Sequence, residues 1–264
     1  MSKPVSVITG ASSGIGTALA RVFAARGHDL VLCARRESRL DELAEELRSG
    51  TAVTVVPADL SAARGPQSLH KAIVDAGLEI DVLVNNAGVG MTSRFKDMPR
   101  SKIADIVNVN VRALTELTHL FLPAMIARGS GRILNVASVA AFRAVPSMSV
   151  YSASKAYVLS FTESLSEELR GTNVTVTALC PGLTKTEMVK DLEAANVPEF
   201  LMARAEDVAQ EGYQACMSGE VIRVPGVMNQ ALVNWLELQP RWLVRTLSGF
   251  AARSTFTNEP RGSP

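Results

Sequence analysis

Tyr151 and Lys155 lie four residues apart in the segment Tyr-Ser-Ala-Ser-Lys, and Ser138 precedes them by a short stretch of chain. If residues 151–170 form a helix, the phenol and the ammonium group project from the same face. A free tyrosine titrates near pH ~10, and a neighbouring positive charge favours the phenolate, so the pair is suited to general acid or base catalysis. Taken alone, Tyr-x-x-x-Lys also fits the outer face of an ordinary helix, so its interpretation depends on the rest of the chain.

Ser138 ends an apolar segment, residues 131–138, that has the composition of a short strand. Open α/β sheets bind their ligands where strands end and helices begin. The sequence therefore predicts that the Ser138 hydroxyl lies close to the Tyr151 and Lys155 side chains.

The elements that must position these side chains alternate along the chain. Strands are predicted at residues 5–9, 29–34, 53–57, 80–84, 132–137, 174–179 and 220–224. Helices are predicted at residues 14–26, 39–48, 67–76, 102–128 and 151–170. This alternation indicates an α/β fold with a parallel sheet covered by helices on both faces.

The composition narrows the class of protein. The chain has 264 residues, of which 47% are hydrophobic and 20% charged, so it can bury one substantial core. The net charge of +1 does not favour nucleic acid as a partner. The chain has no apolar run long enough to span a bilayer, and its first residues lead into a strand, so we expect a cytoplasmic protein. Cys33, Cys180 and Cys216 lack metal or redox spacing, which predicts buried reduced thiols and no metal site.

The first strand is followed by a glycine-rich turn, Thr-Gly-Ala-Ser-Ser-Gly-Ile-Gly, at residues 9–16. Glycines let the backbone turn tightly and approach a pyrophosphate, which the N-terminus of the next helix stabilises. A purely structural turn is the alternative, but its place between strand and helix favours nucleotide binding. The candidate cofactor-binding residues here are Gly10, Ser12, Ser13, Gly14, Ile15 and Gly16.

Arg35 and Arg36 directly follow the second predicted strand. In proteins that bind NADH, an acidic residue at this position accepts a hydrogen bond from the ribose hydroxyl. Two guanidinium groups would instead pair with a 2′-phosphate, so the sequence favours NADPH; a solvated surface pair is the alternative. Asp59 and Leu60, after the third strand, are candidates to flank the adenine, although an aspartate there is often only a turn or cap residue.

Two further polar positions follow. Asn86, Ala87 and Gly88 come after the fourth strand, in Asn-Asn-Ala-Gly, where small and amide side chains let the backbone pass close to a cofactor. Pinning neighbouring strands through side-chain hydrogen bonds is the favoured role of this segment. Asn110 is a single amide within the predicted helix 102–128, and alone it would be an ordinary surface residue.

Taken together and in this order, these motifs resemble the short-chain dehydrogenase/reductase family over about residues 4–225. The resemblance implies a single Rossmann-like, doubly wound domain over residues 1–225 with a seven-stranded parallel sheet. It also implies a catalytic tetrad, which consists of Asn110, Ser138, Tyr151 and Lys155.

The same resemblance implies a role for each member of the tetrad. Ser138 and Tyr151 would hydrogen-bond the substrate carbonyl, and Tyr151 would donate a proton as hydride arrives from the nicotinamide. Lys155 would hold the ribose hydroxyls of NADP(H) and lower the pKa of Tyr151. Asn110 would hold a water that links Lys155 to solvent.

The segment after the sixth strand, residues 181–186, resembles the loop on the nicotinamide side of the cofactor, with a structural loop as the alternative. Its candidate cofactor-binding residues are Pro181, Gly182, Thr184 and Thr186. Residues 187–218 are then expected to form a substrate lid, unless they form a plain surface helix. The apolar candidates for its lining are Met188, Val189, Leu192, Phe200, Leu201 and Met202, which favour a lipophilic carbonyl compound.

Residues 226–264 are predicted to be a helical extension that ends in a disordered tail. Apolar residues recur at helical spacing on both sides of Pro240: Leu232, Val233, Trp235, Leu236, Trp242, Leu243, Leu247 and Phe250. The extension could close the pocket, pack on another subunit, or associate weakly with a membrane through residues 229–256.

We therefore expect an NADPH-dependent carbonyl reductase or alcohol dehydrogenase that acts on a small-molecule carbonyl or alcohol. A 3-oxoacyl-thioester reductase and an NADP-binding scaffold without turnover are the alternatives. Family analogy predicts a homodimer or homotetramer. The apolar residues of the two long helices also extend beyond one stripe, so more than one face of each helix is expected to be covered. These residues are Leu114, Leu117, Leu120, Leu159, Phe161 and Leu165.

Overall fold

The sheet has seven parallel strands in the order β3-β2-β1-β4-β5-β6-β7. The computed structural model describes residues 3–187, 202–240 and 246. The strands are β1 Val5–Thr9, β2 Asp29–Ala34, β3 Val53–Pro57, β4 Val82–Asn85, β5 Gly131–Val136, β6 Val174–Leu179 and β7 Ile222–Arg223. The order reverses between β1 and β4, which is the point where doubly wound sheets open a crevice for ligands.

Helices cover both faces of this sheet. They are α1 Gly14–Ala25, α2 Glu37–Leu47, α3 Gly65–Asp75, α4 Arg100–Val107, α5 Leu114–Arg128, α6 Ser149–Glu168, α7 Ala205–Ser218 and α8 Val227–Leu238. Neighbouring strand residues point to opposite faces, so Ile8 packs with α1, α2 and α7 while Val7 packs with α3, α5 and α6. The prediction of a doubly wound, seven-stranded parallel sheet is confirmed.

The predicted helix over residues 102–128 is not one regular helix. It begins at Arg100 and is interrupted by a π-helical turn at Asn108–Ala113 before α5 continues to Arg128. The extra residue in such a turn redirects side chains, and π-helical turns occur often at functional sites. Here the turn contains Asn110, whose amide is buried and bonded to residues outside the helix.

Several boundaries also differ from the sequence prediction. Helices α2, α3 and α6 each begin two residues earlier than predicted, because their first turns consist of residues without apolar periodicity, such as Gly65 and Pro66 in α3. Strand β7 is shorter than predicted, since as an edge strand it pairs only through Ile222 and Arg223 before Pro225, which has no backbone N–H.

The predicted lid and tail are described only in part. Residues 188–201, with Met188, Val189, Leu192, Phe200 and Leu201, lie outside the described residues, as do Trp242, Leu243, Leu247 and Phe250. Residues 205–218 form α7, which is a core helix and not a lid, because Val208, Ala209 and Cys216 are buried in the core beside the sheet. Within the described ranges, no helix has both the length and the apolar character needed to cross a membrane.

The three cysteines are buried and unpaired, as predicted. Burial raises the pKa of Cys33, Cys180 and Cys216 to about 12 in each case. Because the thiolate is the reactive form, these thiols are inert at neutral pH.

Candidate active site

A cavity of about 820 Å³ lies at the carboxyl edge of the sheet. Every cofactor-binding residue predicted from the sequence lines it: Gly10, Ser12, Ser13, Gly14, Ile15, Gly16, Arg35, Arg36, Asp59, Leu60, Asn86, Ala87, Gly88, Tyr151, Lys155, Pro181, Gly182, Thr184 and Thr186. Ser138 lines it as well, whereas Asn110 does not. The structure therefore brings segments from most of the chain to one cavity.

The glycine-rich turn is packed too closely to accept side chains. A Cβ atom on Gly16 would lie 2.2 Å from the Gly10 carbonyl oxygen and 2.5 Å from the Asn86 Nδ2 atom. Gly14 has a positive φ and lies against the Thr186 side chain, where a Cβ would approach Cγ2 to 2.9 Å. Ser13, at the N-cap of α1, makes no side-chain capping hydrogen bond. The N-terminal amides of α1 thus face the cavity without a capping side chain, which suits a pyrophosphate.

Side-chain hydrogen bonds fix the segment after β4 to the turn. The Thr9 hydroxyl donates to the Val84 carbonyl at 3.1 Å and accepts from the backbone N–H groups of Asn86 and Ala87, both at 3.0 Å. Asn86 Nδ2 donates to the Thr9 carbonyl at 2.8 Å. The predicted strand-pinning role of this segment is confirmed.

A second set of buried polar contacts lies behind it, among β4, β5, α5 and α6. Asn85 Nδ2 donates to Asn135 Oδ1 at 2.9 Å and to Thr118 Oγ1 at 3.1 Å. Asn135 Nδ2 in turn donates to Thr162 Oγ1 at 2.9 Å. These bonds connect the two central strands to the helices that carry the candidate catalytic residues.

Arg36 is paired with a residue that the sequence analysis did not single out. Its Nη1 atom lies 2.9 Å from the Glu187 Oε2 atom, and its Nε and Nη2 atoms donate to the Ser12 hydroxyl at 3.3 and 3.2 Å. Arg39 Nη1 lies 3.8 Å from the other carboxylate oxygen of Glu187. A carboxylate therefore occupies the place beside Arg36 that was predicted for a 2′-phosphate.

Asp59 is a turn residue, the alternative that the sequence left open. Its Oδ1 atom accepts from the Ser61 hydroxyl at 2.8 Å and from the Ser61 backbone N–H at 2.9 Å. These two bonds, followed by the charge of Arg35, lower the pKa of Asp59. Asp59 is thus an anion at neutral pH beside the end of β2.

Ser138, Tyr151 and Lys155 converge on the same part of the cavity. Ser138 lies two residues after the end of β5, and its hydroxyl accepts from the Ala140 backbone N–H at 3.1 Å. Tyr151 in the first turn of α6 is 8% exposed, and Lys155 one turn later is 4% exposed. The Lys155 Nζ atom donates to the Val136 carbonyl at 2.7 Å and lies 5.8 Å from the centre of the Tyr151 ring.

The net shift of the Tyr151 pKa is opposite in direction to the one expected from a neighbouring Lys155. Burial raises the Tyr151 pKa above its usual value, and a hydrogen bond with Ser138 opposes this only in part. Burial also lowers the pKa of Lys155 to about 8. Both shifts have the same cause: burial removes each side chain from water and so disfavours its charged form.

Asn110 lies behind the wall of the cavity and is 1% exposed. Its Oδ1 atom accepts from the Val89 backbone N–H, and its Nδ2 atom donates to the Val89 carbonyl, both at 2.9 Å; Nδ2 also donates to Ser154 Oγ at 3.0 Å. A Cβ on Gly88 would lie 3.4 Å from Lys155 Nζ and 3.5 Å from Asn110 Oδ1. Asn110 and Lys155 therefore meet around Gly88, and both N–H groups of the Asn110 amide already have acceptors.

The sequence analysis did not single out two charged residues that line the cavity, and it did not assign α8 to the cavity wall. Arg143 and Glu187 line the cavity, as do Leu232, Val233 and Leu236 of α8. Arg143 is the single charged residue in the apolar segment 139–148, which is a signal that could have found it. These three residues of α8 are in the position that pocket closure requires, which was one of the three roles left open for the C-terminal extension.

Comparisons with known proteins agree with this arrangement. A family model described as short chain dehydrogenase matches residues 4–197. The sulfoacetaldehyde reductase 2 of Chromohalobacter salexigens is 40% identical over 185 residues, which cover 69% of this chain and 73% of the relative.

Two solved structures are also similar along most of their length. A short-chain dehydrogenase from Sphingobium yanoikuyae in complex with NADPH is 30% identical, with a TM-score of 0.79 and coverage of 99% of this chain and 98% of that chain. A short-chain dehydrogenase/reductase from Burkholderia phymatum in complex with NAD is also 30% identical, with a TM-score of 0.79 and coverage of 88% and 92%.

Proposed function

Because the chain belongs to the short-chain dehydrogenase/reductase family, we propose that it is an NADPH-dependent carbonyl reductase or alcohol dehydrogenase for a largely apolar ketone. The observation that carries the proposal is the convergence of Ser138, Tyr151 and Lys155 on the cavity that also contains the glycine-rich turn. This places a candidate proton donor beside a site with the features that a dinucleotide needs.

The residues present fit such a dinucleotide. The uncapped amides of α1 suit the pyrophosphate, and Arg35 and Arg36 suit a 2′-phosphate. Lys155 would hold the ribose hydroxyls, and Thr184 and Thr186 would hold the nicotinamide side. When bound, the cofactor supplies the hydride; the protein supplies orientation and the proton.

In the reductive direction, the Ser138 hydroxyl and the Tyr151 phenol would donate hydrogen bonds to the substrate carbonyl oxygen and stabilise the charge that develops there. Tyr151 would then transfer its proton to that oxygen, so that the carbonyl becomes an alcohol. With its pKa raised by burial, the Tyr151 phenol carries its proton at neutral pH, as the donor in this direction must.

Lys155 and Asn110 would act next to the proton donor Tyr151, Lys155 through its ammonium group and Asn110 through a bound water. The Lys155 Nζ atom is fixed by the Val136 carbonyl, and Asn110 lies close to the same face of Gly88. The remaining lone pair of Asn110 Oδ1 is the position where its amide could hold the predicted water, since both of its N–H groups are engaged.

Cofactor preference is the first testable consequence. We expect NADPH to bind at least about tenfold more tightly than NADH, which corresponds to about 1.4 kcal/mol. Fluorescence titration of the full-length chain with both nucleotides measures this ratio. Arg35→Asp should weaken NADPH binding and leave NADH binding less affected. Equal affinities for the two nucleotides in the unmodified chain would contradict the proposal.

The same titration can test the carboxylate beside Arg36. Glu187→Gln removes a competitor for the guanidinium group, so NADPH should bind up to about fivefold more tightly, the range for exposed ion pairs, while NADH binding stays the same. Glu46→Gln is a matched control, because the Arg21–Glu46 pair is similarly exposed and neither residue lines the cavity. An unchanged NADPH affinity in Glu187→Gln would show that the carboxylate does not compete.

Self-association remains a prediction by family analogy. Of the apolar residues on which it was based, Leu114, Leu117, Leu159 and Leu165 are buried within the chain itself. The large apolar residues that α4, α5 and α6 expose are Val107, Ile126 and Tyr157. We expect light scattering at micromolar concentration to show a homodimer or homotetramer, and a monomer would refute this.

A further inference from the structure

The substrate end of the cavity is apolar except for one cation. Between Ser138 and α8 its wall includes Val145, Met148, Leu183 and Leu232. The other charged residues among those that line the cavity are Arg35, Arg36, Asp59 and Glu187 at the adenosine end, and Lys155 beside Tyr151. Arg143 is thus the one charge that the described wall presents to the distant part of a substrate.

The guanidinium group of Arg143 is held in place by neutral acceptors. Its Nη1 atom donates to the Phe142 carbonyl at 2.8 Å, and its Nη2 atom donates to the Leu236 carbonyl in the last turn of α8. Its Nε atom is buried and has no hydrogen-bond partner within the part of the chain that the structure describes. Among the residues that the structure describes, no carboxylate lies within ion-pair distance of Arg143.

A guanidinium group stays protonated in proteins, so this charge cannot be relieved by losing a proton. The two carbonyl acceptors are neutral dipoles and supply no full negative charge. The Leu236 carbonyl adds the partial negative charge of the C-terminal end of α8. Three of the five N–H groups have no acceptor among the described residues. Arginine in such a position is suited to bind a carboxylate, which accepts two hydrogen bonds from its planar group.

We propose that Arg143 binds a carboxylate of the substrate, so that the preferred substrates are keto acids whose carbonyl and carboxylate are separated by an apolar segment. This inference rests on the proposed reductase function and adds a substrate class to it. Arg143 sets specificity in this scheme and takes no part in proton transfer. The competing possibility is that Arg143 serves only to attach α8 to the loop after Ser138.

The test compares levulinate and its homologues with one, two and three further methylene groups, each with its methyl ester. Every pair presents the same ketone, and the ester replaces the negative charge of the acid by a methyl group. For the full-length chain with NADPH, we expect at least one acid to have a kcat/KM at least about tenfold above that of its ester, the effect of a charged hydrogen bond. The chain length that gives the largest ratio reports the distance between Tyr151 and Arg143.

Arg143→Met keeps an unbranched apolar stem and removes the guanidinium group with its charge. We expect it to lower kcat/KM for the best acid at least about tenfold, mainly through KM, with the ester changed less than about twofold. Arg143→Lys keeps the charge without the planar group and should retain part of the preference for the acid. An equal loss for acid and ester in Arg143→Met, or no preference for any acid in the unmodified chain, overturns the inference.

A binding measurement separates this inference from the reductase proposal. Calorimetric titration of the NADPH-loaded chain with pentanoate, which has no ketone, should show binding that Arg143→Met weakens at least about tenfold and that high salt reduces. If no ketone is reduced but pentanoate binding depends on Arg143, the reductase proposal fails and the carboxylate site stands. If ketones are reduced but pentanoate does not bind, the carboxylate site is refuted alone.

Discussion

Tyr151→Phe is expected to lower turnover at least about a thousandfold and to leave NADPH affinity within about twofold of the unmodified value. General acid catalysis contributes about a hundredfold to ten-thousandfold, and the variant also loses one hydrogen bond to the developing oxyanion. Phenylalanine fills nearly the same buried volume, so the fold and the cofactor site should be unaffected. Steady-state kinetics on a ketone panel, together with nucleotide titration, measure both quantities.

Tyr157→Phe is the matched control for this experiment. Tyr157 lies on the same helix, is 39% exposed, and hydrogen-bonds only the Thr115 hydroxyl, at 3.0 Å. Loss of its hydroxyl should leave kcat and KM unchanged. Substantial turnover by Tyr151→Phe would remove Tyr151 as proton donor, and a raised KM with unchanged kcat would make it a binding residue. Nucleotide binding without turnover in the unmodified chain would favour the scaffold alternative.

Lys155→Met should lower both turnover and cofactor affinity while it stabilises the protein without cofactor. The ammonium group would lose its bonds to the ribose, so we expect the dissociation constant for NADPH to rise at least about tenfold, as for a charged hydrogen bond. The same charge is buried, and its lowered pKa of about 8 shows that folding disfavours it. A methionine of similar length has no charge, so the folded state no longer carries the free-energy cost of burying one.

The effect of Lys155 on stability has a defined pH dependence. Burial lowers its pKa from 10.5 to about 8 in the folded state, so between these two pH values the unfolded chain binds more protons and stability rises with pH. Below pH ~8 the Lys155 side chain is charged in both the folded and the unfolded state. The full cost of burying this charge, about 3 kcal/mol, then lowers the free energy of unfolding. The advantage of Lys155→Met should therefore be largest at neutral pH and shrink towards pH ~10.

Urea unfolding of both proteins at the two pH values measures this difference directly. Lys71→Met serves as the control, since Lys71 is exposed and paired with Asp75 on the surface. It should change neither activity nor the pH trend. A Lys155→Met variant that binds NADPH normally would exclude the ribose role, and one that is less stable at neutral pH would show that the Val136 hydrogen bond outweighs desolvation.

Much of the site could be predicted from sequence because its residues lie next to strand ends. Parallel strands bring their carboxyl ends to one edge, so the positions after β1, β4, β5 and β6 had to meet once the alternation of elements was recognised. Gly16 and Asn86 illustrate this, since their types already indicated a close backbone approach that the structure contains.

The remaining features depend on contacts between distant residues or on burial. Arg36 and Glu187 are separated by 151 positions, and Arg143 and Leu236 by 93. Such pairs leave no periodic pattern in a single sequence. The direction of the Tyr151 pKa shift was mispredicted for a related reason: a neighbouring cation is visible in the sequence, but the loss of water around the phenol is not.

The cavity combines segments that lie inside and outside the stretch that matches the family model. The glycine-rich turn and Tyr151 fall within residues 4–197, which match the family model, whereas α8 at Val227–Leu238 lies beyond that match. The wall that Leu232 and Leu236 contribute therefore belongs to a different part of the chain from the glycine-rich turn and Tyr151. Substitutions in α8 can change the shape of the cavity while they leave the candidate proton donor in place.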